Sequence, residues 1–272
     1  MSDWLPLPTE RLCYKNFHGE FLLLRRQHIA STPVHSALDH SALGQDTAAL
    51  STLGQRIYDH KFTFVDEVIA TEVEICLRLN QHFRELDHSM AIGMLCEALK
   101  QTRAGAAPRD WCLPVHFSAA NGGAVVDGAP ADEAAESDWR LVEQSSGLSR
   151  GQVIERLLEL EFQLAMFGFL PGFAYLSGLP GELHIPRKDT PTTVTPANSL
   201  ALGGKYLGIY SLPSPAGWNV IGKLGARLMQ LDKLPPIAMR PGDRVRLEQI
   251  DEEQLQAMNS SGLTLAEYNS HP

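Results

Sequence analysis

Between residues 168 and 242 the chain carries eleven of its 22 glycines and ten of its 17 prolines. No long helix survives that density of breakers. The runs between them are short and apolar: LHIP, TVTP, SLALGG, YLGIYSL, WNVIG, ARLMQL and DRVRLEQI. Short strands joined by Gly/Pro turns predict an all-β sandwich or barrel here. The opening FGFLPGFAYLSGLPG, residues 167–181, packs four glycines, two prolines, three phenylalanines and a tyrosine into fifteen residues. A disordered linker does not carry so many aromatics. Such a loop either walls a pocket or fills a tight barrel corner with rings.

Upstream, breakers are sparse and periodicity takes over. Gly19–Gln27 suits a strand, Ala48–Tyr58 has the helical spacing Leu50, Leu53, Ile57, and Phe62–Asn80 ends in the alternation Val73, Ile75, Leu77, Leu79. Ser89–Gln101 reads as a helix opening on a serine cap. These elements predict a small α+β domain over residues 1–105. A linker follows at 103–110, then a strand in WCLPVHFS. Residues 121–137 are small, acidic and turn-rich and predict a mobile loop. From Ser149 a capped helix is expected, with a stripe of Val153, Leu157, Leu160 and Leu164. The mainly β domain spans 106–250, and 251–272 predicts a short helix and a loose tail. The paired His-Ser-Ala-Leu at 35–38 and 40–43 is too short for a repeat architecture.

A net charge of −9 argues against wholesale binding to nucleic acid or an anionic membrane. No run of about eighteen apolar residues exists to span a bilayer. MSDWLPLPTE lacks the basic start and apolar run of a signal peptide, so a cytoplasmic protein is expected. Cys13, Cys76, Cys96 and Cys112 are far apart with no CxxC spacing. They read as reduced thiols, and no metal signature is present.

The candidate site residues cluster in the glycine-rich half. Gly168 and Gly172 allow sharp turns or the close approach of a ligand, and Pro171 stiffens the loop. Phe169, Phe173 and Tyr175 can wall a pocket, Tyr175 adding a hydroxyl. Arg187 and Lys188 can hold a carboxylate or phosphate, Arg as a fork and Lys as a point charge, or stand as solvated surface cations. Trp218 can stack on a substrate or fill the barrel. His116 and His184 flank strands without an acidic or nucleophilic partner at motif spacing. GGK at 203–205 lacks the GxxxxGK[ST] frame of a phosphate loop.

Six segments carry a resemblance: GFLPGFAYLSGLP (168–180), IPR (185–187), TPTTVTPANS (190–199), GGKYLGIY (203–210), SPAGWNVIG (214–222) and PGDRVRL (241–247). In order and spacing they resemble the bacterial family that holds the B subunit of 5-oxoprolinase and allophanate hydrolase subunit 1. That family also holds one half of the urea carboxylase carboxyltransferase region and the sporulation-kinase inhibitor proteins. The resemblance implies a ferredoxin-like N-terminal domain and a cyclophilin-like C-terminal β-barrel. It implies pairing with a barrel protein of the C-subunit type, and with a hydrolase of the A-subunit type, to convert 5-oxoproline to glutamate at the expense of ATP. It also adds Lys223, at the position of a family arginine, to the substrate-binding set of Phe169, Gly172, Phe173, Tyr175, Arg187, Lys188 and Trp218. No catalytic residue is assigned.

Against the family's pattern, Leu157-Leu158 replace His-Ser, Thr192 an Arg, Asn198 a Gly, Tyr206-Leu207 a Gln-Thr, Ser211 a Pro and Ala216 a Gly. Lys223-Leu224-Gly225 replace Arg-Thr-Pro. General acid–base work needs the polar groups lost. Two readings follow. One is a non-autonomous subunit of an ATP-dependent amide or lactam hydrolase, of the 5-oxoprolinase or allophanate hydrolase type. The other is a catalytically silent relative that binds and regulates a partner such as a histidine kinase.

Overall fold

The computed structural model describes residues 5–6, 12–17, 21–26, 50, 53–71, 74–81, 92–97, 107–117, 125–126 and 129–270. The chain divides into two compact units, Met1–Ala107 and Pro108–Pro272. Among the described residues no helix is long and apolar enough to cross a membrane.

The first unit is an antiparallel sheet with helices. Its strands are β1 (Leu5–Pro6), β2 (Leu12–Phe17), β3 (Phe21–Arg26), β4 (Val65–Ala70) and β5 (Glu74–Leu79), in the order β1-β2-β3-β5-β4. Helix α1 (53–60) lies between β3 and β4, and α2 (92–97) follows β5. Among the described residues the order is β–β–β–α–β–β–α, an α+β unit as expected. Alternation sends Leu22 and Leu24 of β3, and Ile75, Leu77 and Leu79 of β5, into one core. Leu53 and Ile57 of α1 and Ile92 and Leu95 of α2 cover it. Val73, the Ser89 cap and the 35–43 repeat lie outside the described residues.

The second unit is a closed seven-stranded barrel. Its strands are β6 (Asp110–His116), β9 (Phe162–Phe167), β10 (Ala174–Ser177), β12 (Ser199–Gly203), β13 (Tyr206–Ile209), β15 (Asn219–Leu224) and β16 (Arg244–Gln249). They run around it as β10-β13-β12-β15-β6-β16-β9. Two small ribbons accompany it: β7 (Val125–Val126) with β8 (Ala129–Pro130), and β11 (Thr192–Thr195) with β14 (Ser214–Ala216). Closure leaves no bare edge. The ladder aligns Leu176, Leu207 and Leu202 in one row and Ala174, Ile209 and Leu200 in another, and both rows fill the interior. The buried Asp243 of PGDRVRL staples the barrel end: its carboxylate accepts from Trp111 Nε1 at 2.8 Å and from the Arg240 amide at 2.9 Å.

Among the described residues, four α-helices belong to this unit. Helix α3 (Ala131–Ser146) begins where a mobile loop was expected, a correction with a plain cause. From 131 to 146 the chain contains no glycine or proline and is rich in alanine and glutamate, which favour helix. Helix α4 (Arg150–Glu159) starts on the Ser149/Gln152 capping box. It buries Val153 and Leu157 but ends before Leu160, and Leu164 faces the core from β9 instead. Helices α5 (Glu252–Ser261) and α6 (Leu265–Tyr268) open on Asp251/Gln254 and Thr264/Glu267 boxes. The expected loose tail is therefore tied down as far as Ser270. Asn269 bonds the backbone N–H and C=O of Cys112 at 2.7 and 3.0 Å.

The outward rows of the barrel matter most. Tyr175, Gly208, Ala201 and Val220 stand side by side across β10, β13, β12 and β15. A Cβ on Gly208 would lie 2.5 Å from the Trp218 ring, and one on Gly203 2.2 Å from it. The indole therefore lies directly on bare backbone. Gly203→Ala or Gly208→Ala should lift the indole and cost about 1–3 kcal/mol, as overpacking does. Urea unfolding read by tryptophan fluorescence measures both the loss and the changed ring environment.

On β6, burial first and the Glu248 carboxylate second push the Cys112 thiol up to about 11. Cys112 Sγ donates to Glu248 Oε2 at 3.2 Å. The stability linked to this thiol is present below its ordinary value of 9.0 and is lost as pH rises through about 11. At pH 8 its alkylation should run roughly a hundredfold slower than in the denatured chain, following the thiolate fraction. Glu248→Gln should restore part of that rate, read by peptide mass spectrometry.

Candidate functional site

The outer face of β10, β13, β12 and β15 carries a ring cluster that is separate from the barrel core. Phe173, Ala201, Tyr210, Ala216, Trp218 and Val220 form its buried part, with Leu170, Tyr175 and Tyr206 packed against it. Phe173 is the hub. Its ring centroid lies 4.7 Å from Tyr175, 4.8 Å from Tyr210, 5.4 Å from Trp218 and 5.6 Å from Phe169, edge-on in every case. Each such pair contributes about 0.5–1.5 kcal/mol beyond its buried area. Tyr206 adds a further edge contact to Tyr175 at 5.4 Å.

The loop 168–173 delivers these rings by turning sharply. Gly172 sits at φ 78° and Phe169 at φ 65°, both left-handed. The Phe173 N–H donates to Leu170 O at 3.1 Å, and the Ser211 hydroxyl donates to Pro171 O at 2.6 Å. Space beside Gly172 is taken by Ile237, Met229 and Ser211, so packing accounts for this glycine. Phe169 is the unusual member: a bulky residue in the left-handed region, 66% exposed. Pocket wall and packed corner, the two sequence alternatives, coincide. Phe173 and Trp218 are buried packing, while Phe169 and Tyr175 border open space.

Charge arrives from the 186–188 segment. Lys188 Nζ lies 2.9 and 3.0 Å from the two oxygens of Asp138 and 2.6 Å from Thr192 Oγ1. An ammonium has three donors, and all three are committed. Asp138 is 5% exposed and also accepts from the Val220 amide at 2.8 Å, where the β12–β15 ladder shifts register. Burial pushes the Asp138 carboxyl up, against the pull of the Lys188 ammonium and the Val220 N–H. Arg187 is exposed, and its guanidinium carbon stands 5.8 Å from the Trp218 ring centroid. No carboxylate pairs with it among the described residues. Its field lowers the Tyr175 and Tyr210 hydroxyls, but burial dominates and holds both above the usual phenol range. At neutral pH they are uncharged donors.

Of the sequence-predicted set, Phe169, Gly172, Phe173, Tyr175, Arg187, Lys188 and Trp218 come together around this cluster. Lys223 stands on β15 opposite Ser199 and His116, and among the described residues no contact joins it to the rings. His116 Nδ1 meets Glu252 at 3.3 Å, and His184 Nε2 meets the Leu179 carbonyl at 3.1 Å, both away from the cluster. Sequence reasoning misses Asp138, because the small, acidic composition of 121–137 predicts a loop running up to it. The breaker-free run with Trp139 and Val142 at helical spacing is the signal that would find it.

The departures from the family pattern now divide by position. Leu157 and Leu207 are fully buried in the barrel core. Asn198 occupies φ 62°, a conformation Asn tolerates better than other side chains, so the backbone shape of a glycine is kept. Thr192 accepts from Lys188, and Ser211 pins the loop. Ala216 is a buried member of the ring cluster, and Tyr206 packs against it.

A groove of about 560 Å³ lies on the other side of the barrel, lined by Asp110, Cys112, Glu161, Arg244 and Arg246 among others. Its charges already satisfy one another, Arg244 with Asp110 at 2.7 Å and Arg246 with Glu161 at 2.8 Å. The ring cluster, with Arg187 unpaired among the described residues, is the better candidate.

Comparison with known proteins agrees with this architecture. Over 109 residues the chain is 41% identical to the 5-oxoprolinase B subunit of Escherichia coli O157:H7, covering 40% of this chain and 50% of that protein. Over 120 residues it is 34% identical to the 5-oxoprolinase B subunit of Bacillus subtilis, covering 44% and 50%. The matches thus span about half the length of these relatives. Kluyveromyces lactis urea carboxylase shares the fold, with a TM-score of 0.60 at 12% identity, over 96% of this chain and 24% of that one. Residues 27–239 match the family model of the carboxyltransferase domain, subdomain C and D, and the chain belongs to that family.

Proposed function

We propose that the chain is a non-autonomous subunit of an ATP-dependent lactam hydrolase, with 5-oxoproline as substrate. The observation that carries this reading is Arg187. It is an exposed guanidinium above an indole, unpaired among the described residues, beside two neutral tyrosines. A guanidinium fork suits a carboxylate. Tyr175, backed by the buried Phe173 and Trp218, can border a small ring, and its hydroxyl can donate to the ring's amide oxygen. The similarity to proteins named as the B subunit of 5-oxoprolinase supports the same substrate.

The chain supplies binding rather than proton transfer. Among the described residues, Asp138 is the carboxylate whose field reaches the Tyr210 hydroxyl, and its oxygens are occupied by Lys188 and Val220. A general base needs a free lone pair within reach of its proton. The base, and the site for ATP as co-substrate, are therefore assigned to partners, a C-type barrel protein and an A-type hydrolase. The silent, partner-regulating reading rests on lost polar groups. The core positions of Leu157 and Leu207 remove two of those losses from the site.

The test is reconstitution with the C-type and A-type partners, measuring ATP hydrolysis that depends on 5-oxoproline. Arg187→Ala should raise the lactam KM roughly tenfold or more, the cost of losing hydrogen bonds to a charged group. A stable complex without turnover on 5-oxoproline would overturn this reading in favour of the silent one.

A further inference from the structure

The segment Pro186-Arg187-Lys188 is held from both sides by buried polar side chains. On one side Asn219, 1% exposed, donates from Nδ2 to the Pro186 carbonyl at 2.9 Å. On the other, Asp138 binds Lys188 through both oxygens, and the Lys188 N–H donates to Gly217 O at 2.7 Å. Arg187 is the residue between these anchors, and among the described residues its side chain makes no hydrogen bond. Its place above Trp218 is therefore set by its neighbours. Arginine carries about 2 kcal/mol of rotamer entropy, and a fork that must find its carboxylate from a mobile backbone loses affinity.

We infer that Asp138 is a positioning residue: through Lys188 it fixes the backbone that presents Arg187 over the Trp218 indole, and so sets affinity for a small carboxylate. This rests on the reading of Arg187 as the substrate clamp. The ion pair links α3 to the 186–192 segment and to the backbone of β15, three elements distant in sequence. A purely stabilising role needs no such coincidence with the residue beside Arg187. Broken pairs and misplaced clamps give different signatures, which makes the two separable.

Two variants and two readouts decide it. D138N keeps an acceptor for the Val220 N–H but strands the Lys188 ammonium. D138N/K188M removes both charges, so no buried ion is left alone and the urea midpoint should return close to wild type. The first readout uses the free full-length chain. The side-chain NMR signal of Arg187, assigned by its loss in R187A, should carry a ring-current shift from Trp218. That shift should collapse in D138N and in D138N/K188M alike. The second readout is the lactam KM in the reconstituted complex. It should rise about tenfold in both variants with kcat within twofold. D138N should add nothing in an R187A background, since the two act through one group.

A retained ring-current shift in D138N/K188M would overturn the inference, as would D138N and R187A effects that multiply. If R187A leaves the lactam KM unchanged, the functional reading fails instead. The ring-current measurement does not depend on turnover, so the two failures remain distinct.

Discussion

The Trp218 indole lies on the outside of a closed barrel, against backbone that carries no side chains. Gly203 and Gly208 are the reason, since a Cβ at either would meet the ring within 2.5 Å. Strand alternation makes this possible. The same strands that turn Leu202, Leu207 and Ile209 inward turn Gly203, Ala201 and Gly208 outward. A flat, bare strip of outer sheet results, and the aromatic side chains assemble on it. Phe173 then packs edge-on to the indole, and Tyr175 and Tyr210 pack on Phe173. Without the two glycines the indole has no seat, and Arg187 has no ring beneath it.

Charge around the rings divides between two adjacent cations of IPRK that do different work. Lys188 commits all three donors inward, to Asp138 and Thr192. Arg187 commits none among the described residues. Burying a pair so fully is costly unless every remaining lone pair is used, and here the Val220 amide takes one. Two of the family departures have a structural part in this picture. Ser211 and Thr192 bring hydroxyls that hold the loop and the lysine in place.

Much of the fold was legible, because its signals are local. The three capping boxes at Ser149, Asp251 and Thr264 are written in four residues each. The alternation of Ile75, Leu77 and Leu79, and the Gly/Pro punctuation after residue 168, carry the two domain types. Helix α3 was not legible in the same way, since an alanine-rich acidic stretch after NGGAVVDGAP resembles a turn region until its lack of breakers is weighed. The site was half legible. Rings and cations were visible as residue types. That Lys188 is sealed against Asp138, fifty residues upstream, depends on tertiary packing that no spacing reveals.

The position of the ring cluster also bears on the proposal that the chain works with others. A pocket inside a barrel is enclosed by its own strands, whereas a site on the outer face has a floor and side walls but no roof. Here Trp218 and Phe173 are buried beneath the face, and Tyr175, Arg187 and Phe169 of the turning loop border it. Phe169 stands at the rim in a left-handed conformation that costs a bulky residue about 1–2 kcal/mol, with two-thirds of its surface in water. A fold does not hold an apolar ring outward against strain for its own stability. Electrostatic clamping strengthens when water is excluded. A surface laid over Phe169 would supply that exclusion, and it could bring the proton-transfer groups this cluster lacks. Under the proposed function, the open face and the want of a free base among the described residues of the cluster call for a second protein surface to complete the site.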